Sequence, residues 1–276
     1  MIAIELLAFL AAIGAGGFGA MVGIGGGLVL VPLLAVGMGV DVHAAIAVSL
    51  LGVIAVSTTA SASYLESGLA DRRLGLALVG ATAIGGIIGG YTAGLLDARV
   101  LSGIFGVVLI AVALQMLRSS RSAQVAELID EPGRLEFDSS YVEPTTGEEV
   151  AYRARNIGIG AIVSIFAGAL SGLLGIGGGV VNVPTMNVLM GIPIRVATTT
   201  STYMLAPTAV ASAVLYFSRG EIDPLLAAPV VVGVFIGARL GARLSHRLSH
   251  RLLALLFVAV AAFFAVQMLL RAVAGT

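Results

Sequence analysis

Long apolar stretches, separated by short polar loops, run through almost the whole chain. Eight of them are 18 residues or longer. The hydrocarbon core of a bilayer is crossed by about 20 helical residues, so each stretch is predicted to be a membrane helix. The eight predicted helices are 2–22, 44–65, 74–95, 100–117, 157–174, 197–217, 225–244 and 252–270.

Two further apolar segments, 28–38 and 180–190, are much shorter, and each follows a run of glycines. At a rise of 1.5 Å per residue, each spans only about 16 Å if helical, roughly half of the hydrocarbon thickness. The pattern therefore predicts short or broken helices at these two places.

Composition places the chain in the membrane class. Hydrophobic residues make up 58% of the sequence, charged residues only 11%, and the mean hydropathy is +1.07, whereas soluble domains carry about 25% charged residues. Cysteine is absent, which excludes disulfides, thiolate metal sites and a cysteine nucleophile. The first twenty residues lack a basic start and a clear cleavage site, so we interpret them as a membrane helix. No cofactor is expected.

An internal repeat is the strongest structural signal. Gly23-Ile24-Gly25-Gly26-Gly27 matches Gly175-Ile176-Gly177-Gly178-Gly179, 152 positions further along. The same ungapped shift pairs polar and conformationally special residues along both halves, namely Pro32 with Pro184, Ser49 with Ser201, Tyr64 with Tyr216, Asp71 with Asp223, and Gln115 with Gln267. Similar composition alone does not hold one register over so many landmarks, so the pattern indicates a duplicated unit.

A polar segment separates the two copies, which we assign to 1–118 and 156–276. Within the connecting region 119–155, residues 134–153 partly alternate apolar and polar positions around Pro144-Thr145-Thr146-Gly147. Alternation around such a turn is typical of a β-hairpin. A disordered acidic linker is the alternative.

The arginines indicate how the copies face. All fifteen basic residues are arginine, and those in short loops should lie in the cytoplasm. If each copy crosses five times, counting its short segment, the repeats are inverted, and one orientation leaves only Arg99, Arg219 and Arg271 outside. That orientation puts these arginines inside: Arg72, Arg73, Arg118, Arg121, Arg134, Arg153, Arg155, Arg195, Arg243, Arg247 and Arg251. If each copy instead crosses four times, the repeats are parallel. With the connecting loop in the cytoplasm, the cluster from Arg243 to Arg251 then lies outside. The inverted arrangement is favoured, with both termini outside and the loop 119–155 in the cytoplasm.

The two glycine runs are the candidate substrate site. Inverted-repeat transporters bind substrate near the midplane, where discontinuous helices expose N–H groups and positive dipole ends. Gly25, Gly26 and Gly27 precede one short segment, and Gly177, Gly178 and Gly179 precede the other. Two such ends converging across a two-fold axis would hold an anion without a buried cation. The alternative is that the glycines only permit tight helix crossing.

Polar residues at membrane depth are further candidates. Asn182 lies in the second short segment, and Thr200 and Ser201 lie in the hydroxyl run 198–203, of which the first copy keeps only Ser49. Hydroxyls and amides can bind oxyanions, although Ser and Thr can equally bond their own helix carbonyls.

Two ionisable residues need a separate interpretation. Arg239 either reaches the substrate path or snorkels to the interface. His43 either couples protons or lies as a solvated interfacial residue.

The repeated Gly-Ile-Gly-Gly-Gly, the proline after it, and Ala197-Thr198-Thr199-Thr200-Ser201 after Gly191-Ile192-Pro193 resemble the sulfite exporter TauE/SafE family of membrane permeases. The resemblance covers both halves. It implies transport of sulfite, thiosulfate, sulfonates such as sulfoacetate, or related anions across a bacterial inner membrane. It also implies coupling to an electrochemical gradient, with protons or sodium as the coupling ion. The first copy departs from the pattern, with Ala45-Ile46-Ala47-Val48-Ser49 in place of the threonine run.

Other classes have less support in the sequence. An anion channel would need a continuous polar pore lining, an intramembrane enzyme would need a nucleophile or metal constellation, and a scaffold protein would not explain duplicated helix breaks. A transporter of a non-sulfur organic anion stays open, as does a homodimer. The expected partners are a small anion and the lipid bilayer, not nucleic acid.

Overall fold

A computed structural model of the chain describes residues 2–22, 25–66, 68–119, 138–142, 147–245 and 250–274. The first half contains five helices, α1 Ile2–Val22, α2 Gly27–Pro32, α3 Val42–Glu66, α4 Arg72–Ala93 and α5 Ala98–Ser119. The second half contains α6 Ile157–Leu174, α7 Gly179–Pro184, α8 Ile194–Ser218, α9 Pro224–Ser245 and α10 His250–Ala274. Between them lie strands β1 Asp138–Val142 and β2 Glu149–Arg153. Gly23, Ile24, the turn 143–146 and most of the connecting loop lie outside the described residues.

Six of the described helices are long and apolar enough to cross a membrane. They are α3, α4, α5, α6, α9 and α10. The described apolar part of α1 is shorter, and α8, which carries the hydroxyl-rich run, does not reach the same hydropathy. The predicted all-helical membrane architecture is therefore confirmed for six of the eight long segments.

Both predicted short segments are short helices. Each begins with six α-helical residues and continues as five π-helical residues, Leu33–Gly37 after α2 and Thr185–Leu189 after α7. Pro32 and Pro184 stand at the two transitions. Because proline has no N–H and its ring crowds the carbonyl four residues earlier, the regular ladder cannot pass through it.

Equivalent helices of the two halves make equivalent contacts. α1 packs along α9, and α4 packs along α6. Gly85 of α4 lies against the carbonyl of Ile165, and its repeat partner Gly237 of α9 lies against the carbonyl of Ile13. Glycine permits this close approach because it has no Cβ, and the backbone of the neighbouring helix occupies the place where a Cβ would stand. The sequence repeat is thus also a repeat of packing, with the fourth helix of each half crossing to the other half.

The predicted β-hairpin is present. β1 and β2 are antiparallel, with Ser140 opposite Ala151. Tyr141 and Tyr152 are buried, their ring centroids 6.3 Å apart. They join an apolar cluster with the start of α4, the end of the second short helix and the start of α8. The hairpin is therefore packed onto the helical domain.

Candidate anion site

The two glycine runs adopt a backbone that other residues rarely adopt. Gly25 and Gly26 have φ of 82° and 78°, and Gly177 and Gly178 have φ of 85° and 69°. Left-handed φ favours glycine because it has no Cβ. Two successive left-handed residues turn the chain sharply into each short helix.

The structure brings both runs together. A Cβ on Gly25 would meet Leu205 at 3.1 Å and Val53 at 3.7 Å, and one on Gly177 would meet Val53 at 3.0 Å and Leu205 at 3.5 Å. Val53 and Leu205 are themselves repeat partners, 152 positions apart. Gly27 lies directly against the carbonyl oxygen of Gly175. The runs therefore converge as predicted, but two apolar side chains are the contact that they share.

Each short helix presents N–H groups from its first turn. In the second one, the first helical bonds run from Val181 and Asn182 to the carbonyl of Gly178, both 3.1 Å long. The preceding amides of a helix have no acceptor within it. The backbone from Gly177 to Gly179 is therefore a source of N–H donors deep in the protein, as an anion site requires.

Two of the predicted hydroxyls serve the fold. The Ser49 hydroxyl donates to the carbonyl of Gly175 at 2.9 Å, which ties α3 to the second glycine run. Thr200 accepts a hydrogen bond from the Asp71 N–H at 2.9 Å, which ties α8 to the start of α4. Each of these two hydroxyls therefore has a partner within the protein.

Other buried polar atoms have no partner among the described residues. They are Asn182 Oδ1, Ser201 Oγ, Ser171 Oγ and Ser61 Oγ. Asn182 and Ser201 were predicted from the sequence, whereas Ser171 was not. Ser171 Cβ lies 3.5 Å from the position of a Cβ on Gly178. The alignment of the two copies does distinguish Ser171, because the first copy has Gly19 at the equivalent position.

Arg239 lies on an exposed face of α9. Its guanidinium carbon stands 4.7 Å from the ring centroid of Phe235, one turn earlier. Such stacking suits a cation that covers an apolar helix face. The glycine runs lie instead beside Val53 and Leu205, inside the protein.

We expect Arg239→Gln to change the KM for transport by no more than about twofold, in line with about 0.5 kcal/mol for exposed substitutions. Loss of a guanidinium that holds the substrate would instead cost about 1.5 to 3 kcal/mol. Initial rates over a range of anion concentrations in proteoliposomes give the KM and so distinguish the exposed arginine from a substrate-binding one. A KM raised tenfold with unchanged protein stability would place Arg239 in the site.

His43 lies at the start of α3, half-buried. Its Nε2 lies 3.2 Å from the carbonyl oxygen of Ala93 and 3.1 Å from that of Leu96, and its Nδ1 lies 3.5 Å from Asp41. These contacts join the start of α3 to the end of α4. They favour the interfacial interpretation of His43 over proton coupling at the glycine runs.

Polar contacts tie both ends of α4 to its neighbours, the hairpin at one end and the end of α8 at the other. At the hairpin end, the Tyr152 hydroxyl donates to Asp71 Oδ2 at 2.9 Å, while Asp71 Oδ1 caps α4 at Leu74. Burial raises the pKa of Tyr152, and the negative charge of Asp71 raises it further. The phenol therefore keeps its proton. At the other end, Arg219 pairs with Glu221 at 2.9 Å and donates to the carbonyl of Gly90 at 2.8 Å.

Comparisons with known proteins agree with this architecture. The model of the sulfite exporter TauE/SafE family matches residues 8–268. The "Probable membrane transporter protein YunE" of Bacillus subtilis (strain 168) is 28% identical over 228 residues, which cover 80% of this chain and 81% of the relative. The "Probable membrane transporter protein YdhB" of the same organism is 24% identical over 218 residues, 77% of this chain and 78% of the relative.

No solved structure gives a significant match. The family model, however, spans nearly the whole chain, including both glycine runs and all the helices that position them. The chain therefore belongs to the sulfite exporter TauE/SafE family of membrane transporters.

Proposed function

We propose that this protein is a secondary transporter that moves small sulfur-containing oxyanions, such as sulfite, thiosulfate or an organosulfonate, across the bacterial inner membrane. The observation that carries the proposal is the convergence of two glycine-initiated short helices beside buried hydroxyl and amide groups. Exposed helix N–H groups and neutral polar side chains suit an oxyanion, because they stabilise its charge without a buried counter-ion.

The two halves are inverted repeats in this proposal. Support comes from equivalent helices of the two halves, which run antiparallel to each other where they are in contact. In the α5/α10 pair, Gly103 faces Ala272 and Gly106 faces Leu269, so the residue number rises along one helix as it falls along the other. α3 and α8 behave in the same way, because Val53 and Leu205 share their glycine contacts while Ser57 bonds Thr202. Opposed partners are typical of alternating-access transporters.

The arginine distribution supports an orientation with the hairpin in the cytoplasm and both termini outside. We expect a single cysteine at Val142, an exposed position of β1, to be protected from an impermeant thiol reagent in intact cells. A cysteine at Leu95, exposed in the α4–α5 loop, should be labelled. The chain has no cysteine of its own, so each label reports one site.

Labelling of Val142→Cys in intact cells, with Leu95→Cys protected, would reverse the orientation. After membrane lysis both positions should react, which controls for access to each thiol.

Alternating access would require the two ends of the α4/α8 pair to open in turn. The Asp71 N–H bonded to Thr200 joins α4 to α8 at the hairpin end, and Arg219 bonded to the Gly90 carbonyl joins them at the other. Each contact is a single hydrogen bond, which contributes only about 0.5 to 3 kcal/mol net.

The proposal is tested by flux into proteoliposomes of the purified full-length protein. We expect saturable uptake of sulfite, thiosulfate or sulfoacetate, stimulated by the same anion inside the vesicle. Uptake of carboxylates alone would identify the alternative, a carrier of non-sulfur organic anions. Unsaturable flux without counterflow would identify an anion channel, and absence of flux for the whole panel would leave a membrane scaffold.

A further inference from the structure

The two halves of the candidate site differ in polarity although their backbones are equivalent. Where the second half has Ser171, Asn182 and Thr208, the first half has Gly19, Leu30 and Val56 at the equivalent positions. All six stand in the helices that surround the glycine runs. The helical framework is duplicated, but the polar lining is not.

Three groups on the polar side have unmet hydrogen-bonding capacity. Ser171, Ser201 and Asn182 are 0%, 1% and 2% exposed, and each has a side-chain oxygen without a partner among the described residues. A buried polar atom left unpaired destabilises the folded protein, because it has lost its hydrogen bonds to water. In a native protein such a group calls for a water molecule or a ligand as its partner.

All three surround the second glycine run. Ser171 lies beside Gly178, and the amide N–H of Asn182 donates to the Gly178 carbonyl, so Asn182 stands one turn after it. Ser201 is the repeat partner of Ser49, whose hydroxyl lies 2.9 Å from where a Cβ on Gly27 would be. Ser201 stands on α8 one turn before Leu205, whose side chain lies 3.5 Å from the position of a Cβ on Gly177.

The first glycine run has no such set. Glycine and leucine replace Ser171 and Asn182, and the Ser49 hydroxyl is already bonded to Gly175. Val53 and Leu205 stand against both runs and present only methyl groups to them. Among the residues that the structure describes, an anion at the first run would find backbone donors beside it but no unpartnered side-chain donor.

We propose that the protein binds one small oxyanion on one side only, at the second glycine run, through Ser171, Ser201 and Asn182, with Val53 and Leu205 closing the site towards the first run. The inference rests on the proposed function and names its binding residues. The two hydroxyls donate to anion oxygens. The unpartnered Asn182 Oδ1 accepts a hydrogen bond from an anion that carries a proton, such as hydrogen sulfite.

The test measures KM for radiolabelled sulfite in proteoliposomes containing Ser171→Ala, Ser201→Ala or Asn182→Leu. Each variant should raise KM about tenfold or more, as expected for a lost hydrogen bond to a charged group. Asn182→Leu installs the residue that the first repeat carries at this place. Ser212→Ala is the matched control, because its buried hydroxyl on α8 is already bonded to the Thr208 carbonyl, and its KM should stay within about twofold.

Thermal unfolding of each purified variant shows whether it is folded. If wild-type protein transports sulfite and the three folded variants keep its KM, the one-sided site is wrong while the transport function stands. If wild-type protein gives no saturable flux, the proposed function fails and this inference fails with it. An equal rise in KM for Ser212→Ala would mean that the effect is one of packing, and would also overturn the proposal.

Discussion

Gly178→Val is expected to abolish anion flux while leaving a protein that still folds. The φ of 69° at Gly178 is costly for a branched residue, by about 1 to 3 kcal/mol. A Cβ there would lie 3.0 Å from the Ala167 carbonyl oxygen and 3.5 Å from Ser171 Cβ. The added side chain would thus push the second glycine run away from Ser171 and cover N–H groups that the anion needs. Flux in proteoliposomes measures the effect, with size-exclusion chromatography as the measure of folding.

Gly39→Val provides the matched control. Gly39 has nearly the same φ, 68°, but a Cβ there would meet nothing within 4 Å. The control therefore carries the backbone strain without the crowding, and it should keep most of the flux. If Gly178→Val transports at the wild-type rate, the glycines serve packing and the anion binds elsewhere.

The second large effect is expected at the helix crossings. Gly89→Leu puts a side chain onto the carbonyl of Ala169, in the contact between α4 and α6. Backbone cannot move aside as a side-chain end can, so we expect a loss of about 3 kcal/mol or more, at or beyond the upper end of overpacking costs. The measurement is the thermal unfolding temperature in detergent, together with the yield of monodisperse protein.

Gly80→Leu is the control on the same helix. Gly80 is exposed, and a Cβ there would meet nothing within 4 Å, so its unfolding temperature should stay near that of the wild type. Equal behaviour of the two variants would contradict the close crossing of α4 and α6.

Local sequence predicted those parts of the fold that depend on local chemistry. The two short helices follow from glycine runs and from Pro32 and Pro184, whose effects on the backbone do not depend on distant residues. The hairpin follows from alternation along 134–153. The convergence of the glycine runs was expected because transporters built from inverted repeats bind substrate between discontinuous helices near the midplane.

The roles of individual polar residues depended on partners that are distant in sequence. Nothing local indicates that Ser49 bonds Gly175 or that Thr200 bonds Asp71, since these contacts join different halves of the chain. The exposure of Arg239 likewise depends on which face of α9 packs against α1 and α3. Ser171 was overlooked because a single serine in an apolar helix has no signal until it is compared with Gly19.

The difference between the two halves suggests how a duplicated protein can bind one substrate. The repeat supplies two equivalent helix breaks, which lie together beside Val53 and Leu205. In the proposed site, polar residues on only one side determine which break holds the anion. The difference between the copies at Ser171 and Asn182, where the first copy has Gly19 and Leu30, would thus be a feature of the site.

The central claim, one oxyanion at the second glycine run, is tested most directly by a crystal structure with selenite, the selenium analogue of sulfite. Anomalous scattering locates selenium independently of the protein density. We expect a single selenium peak, with the selenite oxygens within hydrogen-bonding distance of the Ser171 hydroxyl and the Gly178 backbone N–H. A peak at Gly26, a peak beside Arg239, or two equal peaks at the two glycine runs would contradict the claim.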